Sequence, residues 1–146
     1  MLLKEIMTAN LETIDPDDSL EQAARRMKEC DVGSLPVWDG ERAVGIITDR
    51  DIAVRSTASG QHPSRVRVGE VMSPDPVCCY EDQELPAAAR LMEEHQIRRL
   101  PVLRRDGGLE GIVSLADLAV RNRDPNLPAA VLRRVSAPLE PEREHN

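Results

Sequence analysis

A hydroxyl followed three residues later by a carboxylate occurs at two equivalent places in this chain. The pairs are Thr48 with Asp51 and Ser114 with Asp117. A carboxylate offers acceptor oxygens that suit the two donors of a cis-diol. A hydroxyl at a helix start lies beside backbone N–H groups and the positive end of the helix dipole, where phosphate is favoured. Because residues three apart share one face of a helical turn, each pair could hold a sugar phosphate.

The same spacing is also a common capping arrangement of a helix N-terminus. There the hydroxyl and the carboxylate each accept a hydrogen bond from a backbone N–H group. An isolated pair of this kind is most often only a cap. Two interpretations of each pair therefore stay open at this point, a structural cap and a ligand site.

The pairs belong to an internal repeat whose copies are 65 residues apart, and 66 apart after the Leu-Pro-Val segment. The matching segments are Ile6-Met7-Thr8 with Val71-Met72-Ser73, Leu35-Pro36-Val37 with Leu100-Pro101-Val102, and Gly45-Ile46-Ile47-Thr48 with Gly111-Ile112-Val113-Ser114. The glycines Gly45 and Gly111 would let the backbone approach a neighbouring strand closely. Two copies of one unit predict two similar halves that pack through their sheets with pseudo-twofold symmetry.

The patterning within each copy predicts the order β-α-β-β-α, and therefore an α+β fold. In the first copy Leu20, Ala23, Ala24 and Met27 form a helical stripe, which Leu85, Ala88, Ala89 and Met92 reproduce. The expected strands are 12–14, 35–38, 43–47, 76–79, 100–104 and 109–113. The expected helices are a lead-in helix over 1–8, one after Ser19, one from Thr48, and those over 83–95 and 114–122.

The domain boundaries follow from this repeat and from the loop chemistry between its copies. We predict a first domain over 1–58, a linker over 59–69 and a second domain over 70–123. Residues 124–146 are predicted to form a short helix, Pro128 to Val135, and a disordered tail, because that stretch is rich in proline and charge.

Composition narrows the function classes. The 146 residues carry a net charge of −7, which disfavours a general nucleic-acid surface. No apolar stretch approaches the ~20 residues that span a bilayer, so no membrane role is expected. The chain has three cysteines and no recognisable export signal, so a cytoplasmic location is the default expectation. With no Phe, one Trp and one Tyr, the core must be aliphatic.

The element order, the Leu-Pro-Val strand and the ending Gly-h-h-(Ser/Thr)-x-x-Asp (h apolar) resemble the cystathionine-β-synthase, or CBS, domain. Two copies in tandem resemble the pair called a Bateman module, and the resemblance covers residues 2–122. The first ending, Thr48 to Ala53, is similar to small stand-alone bacterial members. The resemblance implies a regulatory protein that binds AMP, ADP, ATP or S-adenosylmethionine in clefts between the halves. It also implies a disc-like homodimer, and signalling to an unidentified effector protein.

The resemblance also implies roles for particular residues. Asp51 and Asp117 would bind the ribose hydroxyls, and Thr48 and Ser114 would contact ribose or phosphate. The backbone from Val32 to Leu35, and from Ile97 to Leu100, would flank the adenine.

Basic residues near the pairs differ between the copies. Arg98 and Arg99 stand where the first copy has Gly33 and Ser34, and Arg50 stands where the second has Ala116. These arginines could bind phosphate, although Arg98 and Arg99 could equally form a solvated edge paired with Glu93 or Glu94. The two clefts are therefore expected to differ in affinity, and one could be empty.

Other chemistries find little support in the sequence. No nucleophile motif, P-loop or dinucleotide fingerprint is present, and His62, His95 and His145 are scattered without zinc spacing. Cys30, Cys78 and Cys79 are expected to be buried thiols, with a redox link to a partner chain left open. An enzyme and a required cofactor are therefore not expected. The alternative to a nucleotide sensor is a dimeric protein-interaction module with no nucleotide ligand.

Overall fold

The fold is described from a computed structural model, over residues 1–9 and 12–121. Its helices there are α1 (Leu3–Ile6), α2 (Leu20–Cys30), α3 (Asp49–Asp51), α4 (Val68–Val71), α5 (Leu85–His95) and α6 (Leu115–Arg121). Helix α3 continues into a π-helical turn, Ile52–Ser56, and a 3₁₀ turn, Thr57–Ser59. The strands are β1 (Thr8–Ala9), β2 (Ser34–Trp38), β3 (Ala43–Thr48), β4 (Ser73–Pro74), β5 (Cys79–Tyr80), β6 (Arg99–Leu103) and β7 (Leu109–Ser114). This mixed content confirms the α+β class.

The chain divides into two compact units that do not follow the chain order. Unit I comprises 12–76 and 107–109, and unit II comprises 1–9, 77–106 and the described residues from 110 onward. Each unit therefore contains the body of one repeat and the lead-in segment of the other. The domain boundaries 1–58 and 70–123, which follow the sequence repeat, remain a prediction. Helix α4 begins at Val68, inside the predicted linker 59–69.

Each unit is built on one sheet. In unit I the strand order is β2-β3-β4, with both neighbouring pairs antiparallel. In unit II the order is β1-β7-β6-β5, where β1 runs antiparallel to β7 and β5 parallel to β6. The outer strands β1 and β4 are thus the lead-in segments that precede each repeat.

Three predicted elements are shorter than expected. The strand over 12–14 is reduced to a single parallel bridge between Ile14 and Val37, since Asp15 and Pro16 follow at once in a turn. The strand over 76–79 is only Cys79–Tyr80. The lead-in helix over 1–8 ends at Ile6, because Met7 is extended and Thr8 pairs with Ile112.

Each unit has its own aliphatic core. The unit I core is Ile14, Leu20, Ala23, Met27, Leu35, Val37, Ile47, Val66, Val68 and Val71. The unit II core is Leu3, Ile6, Cys79, Leu85, Ala88, Ala89, Met92, Leu100, Val102, Val113, Leu115 and Leu118. The predicted helix stripes are confirmed except at Ala24, which is exposed.

The two repeat glycines allow the lead-in strands to pack closely, as the sequence predicted. A Cβ atom on Gly45 would lie 2.5 Å from Met72 Sδ and 2.7 Å from the Ser73 carbonyl oxygen. A Cβ atom on Gly111 would lie 2.5 Å from the Thr8 carbonyl oxygen. Any larger residue would therefore push the outer strand away from each sheet.

The predicted C-terminal helix and tail lie outside the described residues. Within the described part, no helix has both the length and the apolar character needed to cross a membrane.

Candidate functional site

The first hydroxyl–carboxylate pair lies where β3 passes into α3 in unit I. Thr48 Oγ1 accepts a hydrogen bond from the Asp51 N–H at 3.0 Å, and Asp51 Oδ2 accepts one from the Thr48 N–H at 3.0 Å. The pair is therefore a capping box, as the structural interpretation predicted. The Asp51 side chain is 14% exposed, and its Oδ1 is not used by the cap.

The second pair has the same geometry where β7 passes into α6 in unit II. Ser114 Oγ accepts from the Asp117 N–H at 3.1 Å, and Asp117 Oδ2 accepts from the Ser114 N–H at 2.9 Å. Both side chains are half-buried. The repeat therefore preserves the cap and, with it, a carboxylate oxygen that the cap does not use.

In each unit a backbone hydrogen bond ties the loop before the hairpin to the start of the motif helix. The Asp49 N–H donates to the Gly33 carbonyl at 3.0 Å, and the Leu115 N–H donates to the Arg98 carbonyl at 2.8 Å. The loop segments predicted to flank an adenine therefore do lie beside the pairs.

The flanking residues differ in what they can offer a ligand. Val32 is 43% exposed and Ile97 is half-buried, so both side chains reach the surface. Leu100 is 0% exposed in the unit II core, so its side chain cannot contact a ligand and only its backbone remains a candidate.

The candidate phosphate-binding arginines fall in different units. Arg98 and Arg99 are exposed beside the Ser114–Asp117 pair in unit II. Arg50 is exposed in unit I, and its N–H donates to Asp49 Oδ1 at 2.8 Å.

Sequence reasoning missed one partner of the first pair. Arg55 Nε lies 3.7 Å from Asp51 Oδ1, and Arg55 Nη1 donates to the Val71 carbonyl at 3.1 Å. A ligand that uses Asp51 Oδ1 must therefore share it with a guanidinium that also caps the end of α4. The signal was available, because an acid and an arginine four residues apart often pair on a helix.

The cysteines are chemically unequal. Burial is the main cause that raises the pKa of Cys79 to about 12, and it also raises the pKa of the half-buried Cys78. Both thiols therefore stay protonated near neutral pH and are poor nucleophiles. Cys30 is exposed, so the expectation of a buried thiol is wrong there, because this residue lies in the last turn of α2 on its solvent side.

Metal-ligating side chains do not converge in the described residues, where no group of three His, Cys, Asp or Glu residues could hold an ion.

Comparison with known proteins identifies the family. A sequence profile for the CBS domain matches residues 3–56 and 68–122. The chain belongs to the CBS-domain family. The CBS domain-containing protein YhcV of Bacillus subtilis is 39% identical over 134 residues, which cover 92% of this chain and 94% of YhcV. Hypoxic response protein 1 of Mycobacterium tuberculosis is 35% identical over 117 residues, covering 80% of this chain and 81% of that protein.

Solved structures of similar proteins match the fold over most of this chain. The crystal structure of Hypoxic Response Protein I with two coordinated zinc ions matches with a TM-score of 0.75 and 34% identity, over 85% of this chain and all of that one. The crystal structure of CBSX2 in complex with AMP matches with a TM-score of 0.66 and 29% identity, over 90% of this chain and 96% of that one. The chain therefore contains a pair of CBS domains, which are regulatory modules.

Proposed function

We propose that this CBS pair is a regulatory sensor of an adenine nucleotide or a related adenosyl ligand. AMP, ADP, ATP and S-adenosylmethionine are the candidate ligands, and the Thr48–Asp51 and Ser114–Asp117 pairs are the candidate sites. The observation that carries the proposal is the duplicated capping box, in which each carboxylate uses one oxygen for the cap and leaves the other outside it. In Asp51 this second oxygen also pairs with Arg55. The AMP complex of CBSX2 supports this choice of ligand class.

In the proposed chemistry each carboxylate has two roles, since it caps a helix and also accepts hydrogen bonds from the ligand. The cap fixes Asp51 and Asp117 at the helix starts, so little side-chain freedom is lost when a ribose diol donates to them. In unit I, Arg55 Nε lies 3.7 Å from Oδ1 of Asp51, so the ribose diol would share that oxygen with a guanidinium. Backbone groups near Val32 and Ile97 would contact the base, and Arg50, Arg98 and Arg99 would meet phosphate.

The signal in this proposal passes to a separate effector protein. A ligand changes such an equilibrium only through its different affinities for the two states of the protein. Cys30, Cys78 and Cys79 form no disulfide with one another, which supports the cytoplasmic location expected from the sequence.

Isothermal titration calorimetry of AMP and ATP against Asp51→Asn and Asp117→Asn tests the ribose assignment. Asparagine keeps one oxygen to accept the capping N–H, but it replaces the other acceptor by an NH₂ donor that cannot accept from ribose. A hydrogen bond to a charged group contributes about 1.5–3 kcal/mol. Affinity should therefore fall roughly 10- to 150-fold at the altered site.

Thermal unfolding of the same variants without ligand provides the control. Because the cap is preserved, their melting temperatures should stay close to that of the wild type. Unchanged affinity for both nucleotides in both variants would rule out the ribose assignment.

A second candidate is a dimeric protein-interaction module without a nucleotide ligand. The observation that favours it is a pair of exposed valines at equivalent repeat positions, Val54 at 51% and Val120 at 81% exposure. A homodimer that covers them should appear in sedimentation velocity at micromolar concentration and be weakened by Val120→Glu. Only monomer in the wild type would contradict the dimer. No thermal shift with millimolar AMP or ATP would favour this candidate over the sensor.

A further inference from the structure

The two units carry opposite charges at one equivalent point beside their capping boxes. The loop residue that accepts from the start of the motif helix is Gly33 in unit I and Arg98 in unit II. The helix residue that donates to it is the exposed Asp49 in unit I and the buried Leu115 in unit II. The contact therefore presents a carboxylate in unit I and a guanidinium in unit II.

The Asp49 carboxylate lies directly against the loop in unit I. A Cβ atom on Gly33 would lie 3.1 Å from Asp49 Oδ2, so this carboxylate fills the space that any larger loop residue would need. The hydrogen bond from the Arg50 N–H to Asp49 Oδ1 at 2.8 Å holds the carboxylate there. The Asp49 carboxylate can therefore occupy this position because residue 33 has no side chain.

The residue that ends the preceding helix repeats this contrast. Asp31 ends α2 in unit I and Gln96 ends α5 in unit II, and both adopt the left-handed conformation, with φ of 54° and 53°. The backbones are therefore equivalent, and only the charge differs. The loop in unit I is acidic at Asp31, where that of unit II is neutral, and it is neutral at Gly33, where that of unit II carries Arg98.

We propose that Asp49 makes the unit I site select an adenosyl ligand without phosphate charge, whereas Arg98 and Arg99 direct nucleoside phosphates to the unit II site. This inference rests on the proposed function. An adenosine phosphate in unit I would bring its phosphate toward a fixed carboxylate, and like charges near a protein surface repel. Arg50 could attract that phosphate only with Asp49 beside it, so Asp49 offsets the attraction that Arg50 would otherwise exert. The ligand class for unit I is therefore an uncharged or cationic adenosyl compound, and for unit II a nucleoside phosphate.

Site-resolved titration of the full chain by ¹H–¹⁵N NMR tests this division, with adenosine and AMP as probes. The backbone amides of Asp51 and Asp117 report separately on the two sites. At Asp51, adenosine should bind at least as tightly as AMP, and at Asp117 AMP should bind more tightly than adenosine. Asp49→Asn should raise AMP affinity at Asp51 about fivefold at low salt and leave adenosine affinity within about twofold.

Two further variants give the matched controls. Asparagine at position 49 can still accept from the Arg50 N–H, so the helix start should persist. Glu41→Gln, in the exposed hairpin turn of the same unit, changes net charge equally and should not alter the AMP-to-adenosine ratio. The double variant Arg98→Gln, Arg99→Gln should lower that ratio at Asp117.

The outcomes separate this inference from the proposed function. If both probes bind but Asp49→Asn leaves their ratio at Asp51 unchanged, the division of ligands is wrong and the sensor proposal stands. If neither probe at millimolar concentration shifts either amide, both are wrong.

Discussion

Cys79 is buried in unit II, where its Sγ lies 3.5 Å from the Pro101 carbonyl oxygen. Burial raises the pKa of this thiol from its ordinary value of 9.0 to about 12. Between these two pH values the unfolded chain loses a proton that the folded chain retains. The contribution of this thiol to the stability of the folded state therefore falls as pH rises above about 9.

We expect the free energy of unfolding to fall by about 1 kcal/mol between pH 8 and 10 through this one group. Urea unfolding of the wild type and Cys79→Ala at both pH values measures it, because the variant should lose that part of the pH dependence. Cys30→Ala should keep it, since Cys30 is exposed. Equal pH dependence in wild type and Cys79→Ala would contradict the assignment.

At the residue scale, the sequence was sufficient for the capping boxes but not for all their contacts. Thr48 with Asp51 and Ser114 with Asp117 form within one helical turn, so their spacing alone predicts the geometry. The contact between Asp49 and Gly33 joins residues 16 positions apart. This contact depends on the register in which β2 pairs with β3, and residues close in sequence do not determine that register.

At the scale of elements, the two long helices share a stripe but begin differently. Ser19 Oγ accepts from the Gln22 N–H at 3.1 Å, and Gln22 Oε1 accepts from the Ser19 N–H at 2.8 Å. The equivalent residue before α5 is Glu84, which makes no side-chain cap, and Pro86 lies in the first turn instead. Proline is tolerated there because its missing N–H has no helical partner.

Ser19→Ala should therefore lower the free energy of unfolding by about 0.5–2 kcal/mol. The matched control is Glu84→Ala at the equivalent position, which should change it by less than about 0.5 kcal/mol, because no side-chain cap is lost. Urea denaturation monitored by circular dichroism measures both. Equal losses in the two variants would show that the capping box contributes nothing specific to α2.

Element order was predictable, whereas the exchange of the outer strands was not. The stripe from Leu20 to Met27 and the Leu-Pro-Val strands have local periodicity, and the structure confirms them. The pairing of Thr8 with Ile112 joins residues more than 100 positions apart through a two-residue strand. So short a strand has no pattern of its own, and only the glycine opposite it, Gly111, indicates a close neighbour.

At the scale of the whole molecule, the core of each unit includes residues from the lead-in segment of the other repeat. Val68 and Val71 belong to the unit I core, and Leu3 and Ile6 belong to the unit II core. A cut that follows the repeats would remove these residues from the core they fill. The compact units, rather than the repeats, should therefore be the units of stability.

A fragment of residues 10–76 should accordingly unfold more cooperatively in urea than a fragment of residues 1–58. The shorter fragment lacks Val66, Val68 and Val71, and it exposes Leu3 and Ile6 without their partners. Circular dichroism through a urea titration measures both, and residues 1–76 serve as the control for the extra N-terminal segment. Equally cooperative transitions for fragments 1–58 and 10–76 would contradict the interpretation that the compact units, rather than the repeats, are the units of stability.

The placement of α1 in unit II also has a consequence for how the protein is made. Leu3 and Ile6 leave the ribosome well before their core partners from Leu85 to Leu118. At about 5–20 residues per second, the nascent chain carries these apolar side chains unburied for on the order of ten seconds. Most of unit I emerges during that interval and can close, whereas Leu3 and Ile6 can be buried only after residues up to Leu118 have emerged.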